Sequence, residues 1–135
     1  MKHFRLIRAL PLLLLLLCAS VVPTMAQDTQ AIETAFKQGS AKALSKFFGQ
    51  TVEIKILDTQ DVYGDAQAEA LLADFFKKNT PTDFKTQHYS ARPPNAFMVG
   101  SLTTTNDTFR VNIFFKGEGA NVEMTRLQII KGALR

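Results

Sequence analysis

Phe109, Val111, Ile113 and Phe115 occupy alternate positions, with Arg110, Asn112 and Phe114 between them. That period of two predicts a strand over 108–116 with one apolar face buried. Such a strand needs paired neighbours and a cover, and the residues around it supply both. Over 82–90, Phe84, Thr86 and His88 share one parity while Lys85, Gln87 and Tyr89 share the other. Arg92-Pro93-Pro94-Asn95 predicts a turn, because neither proline can donate to a ladder. A strand over 96–105 follows, then a hairpin at Asn106-Asp107. Gly117-Glu118-Gly119 turns the chain into a last strand over 121–131. In that strand Val122 and Met124 share one parity and Leu127 and Ile129 the other, so a bulge near Thr125-Arg126 is expected.

The cover comes from upstream. Asp28 predicts the cap of a helix carrying Ile32, Ala35 and Phe36 on one face and stopping at Gly39. Ser40 predicts a second cap, with Ala41, Leu44, Phe47 and Phe48 on one side and Gly49 as the stop. Val52, Ile54 and Ile56 then alternate with Glu53 and Lys55, a half-buried strand over 51–57. Asp58-Thr59-Gln60-Asp61 has turn chemistry, and Val62-Tyr63 adds at most a short extended piece. Asp65 opens the strongest helix, with Ala68, Leu71, Leu72, Phe75 and Phe76 at helical spacing. Asn79 and Pro81 end it. The order α-α-β-α-β-β-β-β predicts an α+β fold in which N-terminal helices cover the apolar face of a curved antiparallel sheet.

Residues 1–26 read as an export signal. Lys2, Arg5 and Arg8 precede an apolar run with six consecutive leucines, and Thr24-Met25-Ala26 offers small residues at a cleavage site. The competing readings are a retained anchor and lipidation at Cys18; Pro11 and Pro23 interrupt the first, and the bulky Leu17 disfavours the second. Cleavage leaves one domain, 27–135, in the periplasm or outside the cell, with the membrane touched only through the transient leader. The chain's net charge of +4 lies mostly in the leader, since all 12 acidic residues follow it. A nucleic-acid partner is therefore not expected. The single cysteine, Cys18, lies in the leader too, and His88 is the one histidine beyond it. No disulfide, thiolate or multi-histidine metal site is expected, and no motif points to a cofactor.

Several stretches together resemble a known fold family: Gly39-Ser40-Ala41-Lys42-Ala43-Leu44-Ser45-Lys46-Phe47-Phe48, Ala66-Gln67-Ala68-Glu69 with Asp74-Phe75-Phe76, Phe84 with His88, and Thr108-Phe109-Arg110-Val111. The chain resembles the nuclear-transport-factor-two-like superfamily, the cone-shaped fold also adopted by ketosteroid isomerases. More narrowly, it is similar to a family of exported bacterial proteins known as a domain of unknown function. The resemblance implies a cone with a pocket between the long helix and the sheet. It does not choose among enzymes, ligand binders and interaction modules.

For catalysis, Asp58, Tyr63 and His88 are the candidate acid-base residues. Asp58 sits in a turn signature, where a carboxylate commonly bonds local backbone N–H groups. Ligand-pocket candidates are Leu71, Phe75, Phe84, His88 and Arg126; strand parity puts His88 with Phe84, and the bulge decides whether Arg126 points inward. The expected function is a non-catalytic domain that binds a small apolar ligand or an envelope protein. The alternatives are an isomerase- or dehydratase-like enzyme, and a dimeric structural module. For the last, Phe114 beside Arg110 and Asn112 marks the sheet face on which a homodimer would form.

Overall fold

The computed structural model describes residues 25–118 and 121–132. The expected leader falls almost wholly outside them, as does Gly119. Helix α1 spans Met25–Gln38 and α2 Ala41–Ser45. Strands β1 (Phe48–Ile56) and β2 (Thr59–Gly64) precede helix α3 (Asp65–Lys78). Strands β3 (Pro81–Arg92), β4 (Asn95–Thr104), β5 (Thr108–Lys116) and β6 (Glu123–Lys131) complete the chain.

All six strands join one curved sheet in the order β2-β1-β6-β5-β4-β3. Every ladder is antiparallel except β1 with β6, which is parallel. The sheet is therefore mixed, not the purely antiparallel one expected. Between β1 and β6 the chain passes through α3 and four other strands, and that long return permits a parallel pairing.

The α+β plan stands, with three local corrections. Asp28 lies inside α1, which begins at Met25. Helix α2 stops at Ser45, because Phe47 and Phe48 serve the sheet instead: Met124 N–H donates to the Phe47 carbonyl at 2.6 Å, and Phe48 pairs with Met124. Strand β2 is complete rather than vestigial. The turn is only Leu57-Asp58, with Leu57 at φ +56°, so Gln60 and Asp61 sit in the ladder opposite Lys55 and Ile54. Polar residues are at home there because β2 is an edge, where an inward charge such as Asp61 discourages a further strand from pairing.

Local chemistry fixes the helix ends. The Ser40 hydroxyl accepts from Ala43 N–H at 3.1 Å and starts α2. It follows Gly39, whose φ of +64° reverses the chain after α1. In α3 Asp65 stands in the first turn and Lys77 and Lys78 in the last, each sign matching the helix dipole. The Asn106 amide donates to the Lys78 carbonyl at 2.7 Å, tying the β4–β5 turn to the end of α3.

The core lies between the helices and one sheet face. Ile32 and Phe36 of α1, Leu72 and Phe75 of α3, and Val111 and Ile113 of β5 are all buried. Aromatic rings fill this interior. Phe36 stacks on Phe84 with centroids 4.7 Å apart, and Phe75 meets Phe109 edge-on at 5.2 Å. Gly100 faces the Phe84 ring so closely that a Cβ there would lie 2.2 Å from it. The expected bulge in β6 is present: Phe114 pairs with Arg126 and Phe115 with Met124, leaving Thr125 as the extra residue.

Candidate interaction surface

A second bulge decides where the sequence candidates point. In β3, Thr86 pairs with Gly100 but His88 pairs with Val99, so Gln87 is inserted and the alternation flips. Phe84 and Tyr89 turn toward the helices, while His88 turns to the opposite, outer face and is exposed. The expectation that His88 shares Phe84's face is corrected. Arg126 is likewise an outer-face residue, opposite Phe114 and exposed, so it does not enter the cone.

The remaining candidates separate. Asp58 is exposed in the β1–β2 turn. Tyr63 pairs with buried Val52 and packs on the core. Asp58, Tyr63 and His88 thus occupy a turn, the inner face and the outer face, and they do not converge. Among the described residues Thr104 and Asn112 are the polar residues buried as a whole, and the Thr86 and Tyr89 hydroxyl oxygens are buried on the inner face; no carboxylate or imidazole is buried. Phe84 is a core residue in contact with Phe36. Leu71 and Phe75 do line open space, a flanking groove of about 380 Å³ that Ile56, Leu57, Asp58 and Lys78 complete.

The outer face is organised in rows across the sheet. One runs Val62, Glu53, Arg126, Phe114, Phe97, Ser90. Contacts run along its middle from Glu53 to Phe97, with Gln60 joining from the next row. Gln60 Nε2 donates to Glu53 Oε1 at 2.9 Å, the Arg126 guanidinium donates to the other Glu53 oxygen, and it also lies 5.3 Å from the Phe114 ring centroid. The Phe114 and Phe97 centroids are 4.8 Å apart. Neither ring is fully covered, and they floor a hollow of about 270 Å³ edged by Ser90, Arg92 and Asn95. The adjacent row, Gln60, Lys55, Gln128, Asn112, Val99 and His88, is polar except at Val99. Asn112 Nδ2 donates to Gln128 Oε1 at 3.3 Å, and Arg110 of the row beyond donates through Nε to Asn112 Oδ1 at 3.2 Å.

The hydrogen bond from Gln60, and then that from Arg126 with its charge, hold the Glu53 carboxyl below the ordinary glutamate range. A carboxyl with a lowered folded pKa adds stability above its unfolded value and loses it as pH falls through the folded one. Carboxyl titration by NMR should therefore give Glu53 a midpoint below the ordinary glutamate value, and Glu53→Gln should remove its share of the acid-side loss. A Glu53 midpoint at or above the ordinary value would contradict the pairing.

Residues 29–129 match the family model DUF4783, a domain of unknown function. The chain belongs to the DUF4783 family. A DUF4783 protein from Bacteroides ovatus is 33% identical, with a TM-score of 0.72 over 77% of this chain and 94% of that one. One from Bacteroides uniformis is 28% identical, with a TM-score of 0.73 over 78% and 97%. The solved structure called Rd1NTF2_04 with long sheet reaches a TM-score of 0.63 at 13% identity, over 78% of this chain and 99% of that one. At that identity the likeness shows the fold alone, and the fold is nuclear-transport-factor-two-like. No curated protein matches the chain. DUF4783 membership thus fixes the architecture and leaves the role to be argued from the surface.

Sequence reasoning found Arg110, Asn112 and Phe114 on this face but missed Phe97 and Arg92. The available signal was parity in 96–105: Met98 and Leu102 take the inner positions, which puts Phe97 on the outer ones.

Proposed function

We propose that this DUF4783 domain is an exported, non-catalytic interaction module that engages an envelope protein through the outer sheet face. The observation that carries the reading is the contrast between the two faces. Around Phe36 and Phe84 the inner face is filled by the chain's own phenylalanines and opens only at its margins, beside Leu71 and Phe75 and in a hollow of about 320 Å³ beside Ala91, Ala96 and Val122. The outer one presents a partly exposed aromatic pair at the floor of an open hollow. Aromatic side chains with arginine beside them are the usual energetic centre of a protein interface. Catalysis would need a desolvated acid or base near a reacting chamber, and Asp58, Tyr63 and His88 lie apart.

The second reading is a small apolar ligand in the flanking groove, favoured by Leu57, 37% exposed, beside Leu71 and Phe75. Photo-crosslinking in the producing bacterium separates the two. A photoreactive residue at Ser101 on the outer face should yield a discrete protein adduct, and one at Lys77 on α3 should not. Adducts from Lys77 alone, or native mass spectra of the purified domain carrying a stoichiometric small molecule, would overturn the proposal in favour of the second reading.

A further inference from the structure

The outer face carries an excess of three positive charges, although residues 27–135 are nearly balanced in charge. Strand register places Lys55, Lys85, Arg92, Arg110, Lys116 and Arg126 on it, six cations against the three carboxylates Glu53, Asp83 and Glu123. Among the described residues, only one of the six cations, Arg126, has a carboxylate within ion-pair distance. The other five form no ion pair, although Glu123 stands opposite Lys116 and Asp83 lies two residues from Lys85, so Lys55, Arg92 and Arg110 carry the excess charge. Such a field attracts a partner of opposite sign and repels one of like sign. It therefore disfavours a second copy of this chain, since face-to-face pairing would bring two cationic surfaces together.

The aromatic hollow adds an apolar requirement. Phe97 and Phe114 form its floor and Arg92 stands at its edge. The Arg126 guanidinium lies against Phe114. A side chain entering the hollow is bounded by rings below and by guanidinium groups beside it, which suits an aliphatic or aromatic anchor followed by carboxylates.

From this we infer that the outer face takes an acidic protein segment with an apolar anchor: the anchor seats on Phe97 and Phe114, and flanking carboxylates pair with Arg92, Arg110 and Lys116. The inference rests on the reading of the outer face as the interaction surface and names the partner's chemistry.

Fluorescence anisotropy on the intact exported domain tests it. The probe is a short peptide with a central leucine flanked on both sides by aspartate and glutamate; a glutamine-substituted and a lysine-substituted peptide serve as controls. The acidic peptide should bind. Arg92→Gln should weaken it about tenfold, the loss of one charge-assisted contact, whereas Lys77→Gln on α3 should leave it unchanged. Raising salt from about 50 mM to about 300 mM should weaken it severalfold.

Three results would overturn the inference: no binding of the acidic peptide, equal binding of the neutral one, or equal affinity for an oligothymidylate or for phosphatidylglycerol vesicles. Sedimentation separates its failure from that of the broader reading. A dimer dissociated by Phe114→Ala would sink the acidic segment yet keep the outer face as the interface. Crosslinking confined to the α3 face would sink both.

Discussion

Phe84→Ala is expected to lower the unfolding free energy by about 3–5 kcal/mol, the range for a fully buried phenylalanine. The ring is 1% exposed, stacks on Phe36, and presses on Gly100 from the other side. Because small domains are stable by only about 5–15 kcal/mol, this one change consumes a large share. The Gly100 contact makes a sharper test. Gly100→Ala alone forces its Cβ to within 2.2 Å of the ring, an overpacking expected to cost about 1–3 kcal/mol. In a Phe84→Ala background the obstructing ring is gone, so Gly100→Ala should cost almost nothing further. Urea unfolding of the four proteins gives the coupling directly. Additive losses would mean that the ring and the glycine are not in contact.

The second large effect belongs to a turn. Gly117 has φ +120°, and a Cβ there would lie 2.1 Å from the Asn121 carbonyl oxygen. Its N–H donates to the Pro94 carbonyl at 2.7 Å, so the backbone is held from the β3–β4 turn as well. Gly132, at φ +110°, has nothing within 4 Å of its notional Cβ. Both positions disfavour an L side chain by about 1–3 kcal/mol on conformation alone, but only Gly117 adds a collision with backbone. Gly117→Ala should therefore cost clearly more than Gly132→Ala, by about 1 kcal/mol or above. Equal midpoints in thermal unfolding would show that the turn gives way freely.

Much of the fold was legible in the sequence because long periodic stretches speak for themselves. The apolar set on α3 and the alternation on β5 lie within the elements expected of them, and the parity slip located the bulge at Thr125. The errors share a cause. An element whose identity comes from its partner leaves little local trace. Phe47 and Phe48 have helical spacing, yet Met124 recruits them to the sheet. Gln60 and Asp61 look like a turn, yet β1 pairs them.

The site was less legible than the fold. Face assignments within a strand depend on unbroken alternation, and the Gln87 insertion reverses it between Phe84 and His88 without any sign in the residue types. The hollow draws Arg92 and Phe97 from β3 and β4 and Phe114 from β5. No motif spacing can announce a set that only sheet register assembles.

The most direct measurement is a crystal of the wild-type domain pressurised with xenon, beside one of Phe84→Ala. Xenon enters dry apolar voids and stays out of a packed interior. The filled inner face predicts no xenon among Phe36, Phe84 and Gly100 in the wild type and a bound atom there once the Phe84 ring is removed. Xenon, or an extraneous ligand, between those residues in the wild type would show an open cone and contradict the choice of the outer face as the working surface.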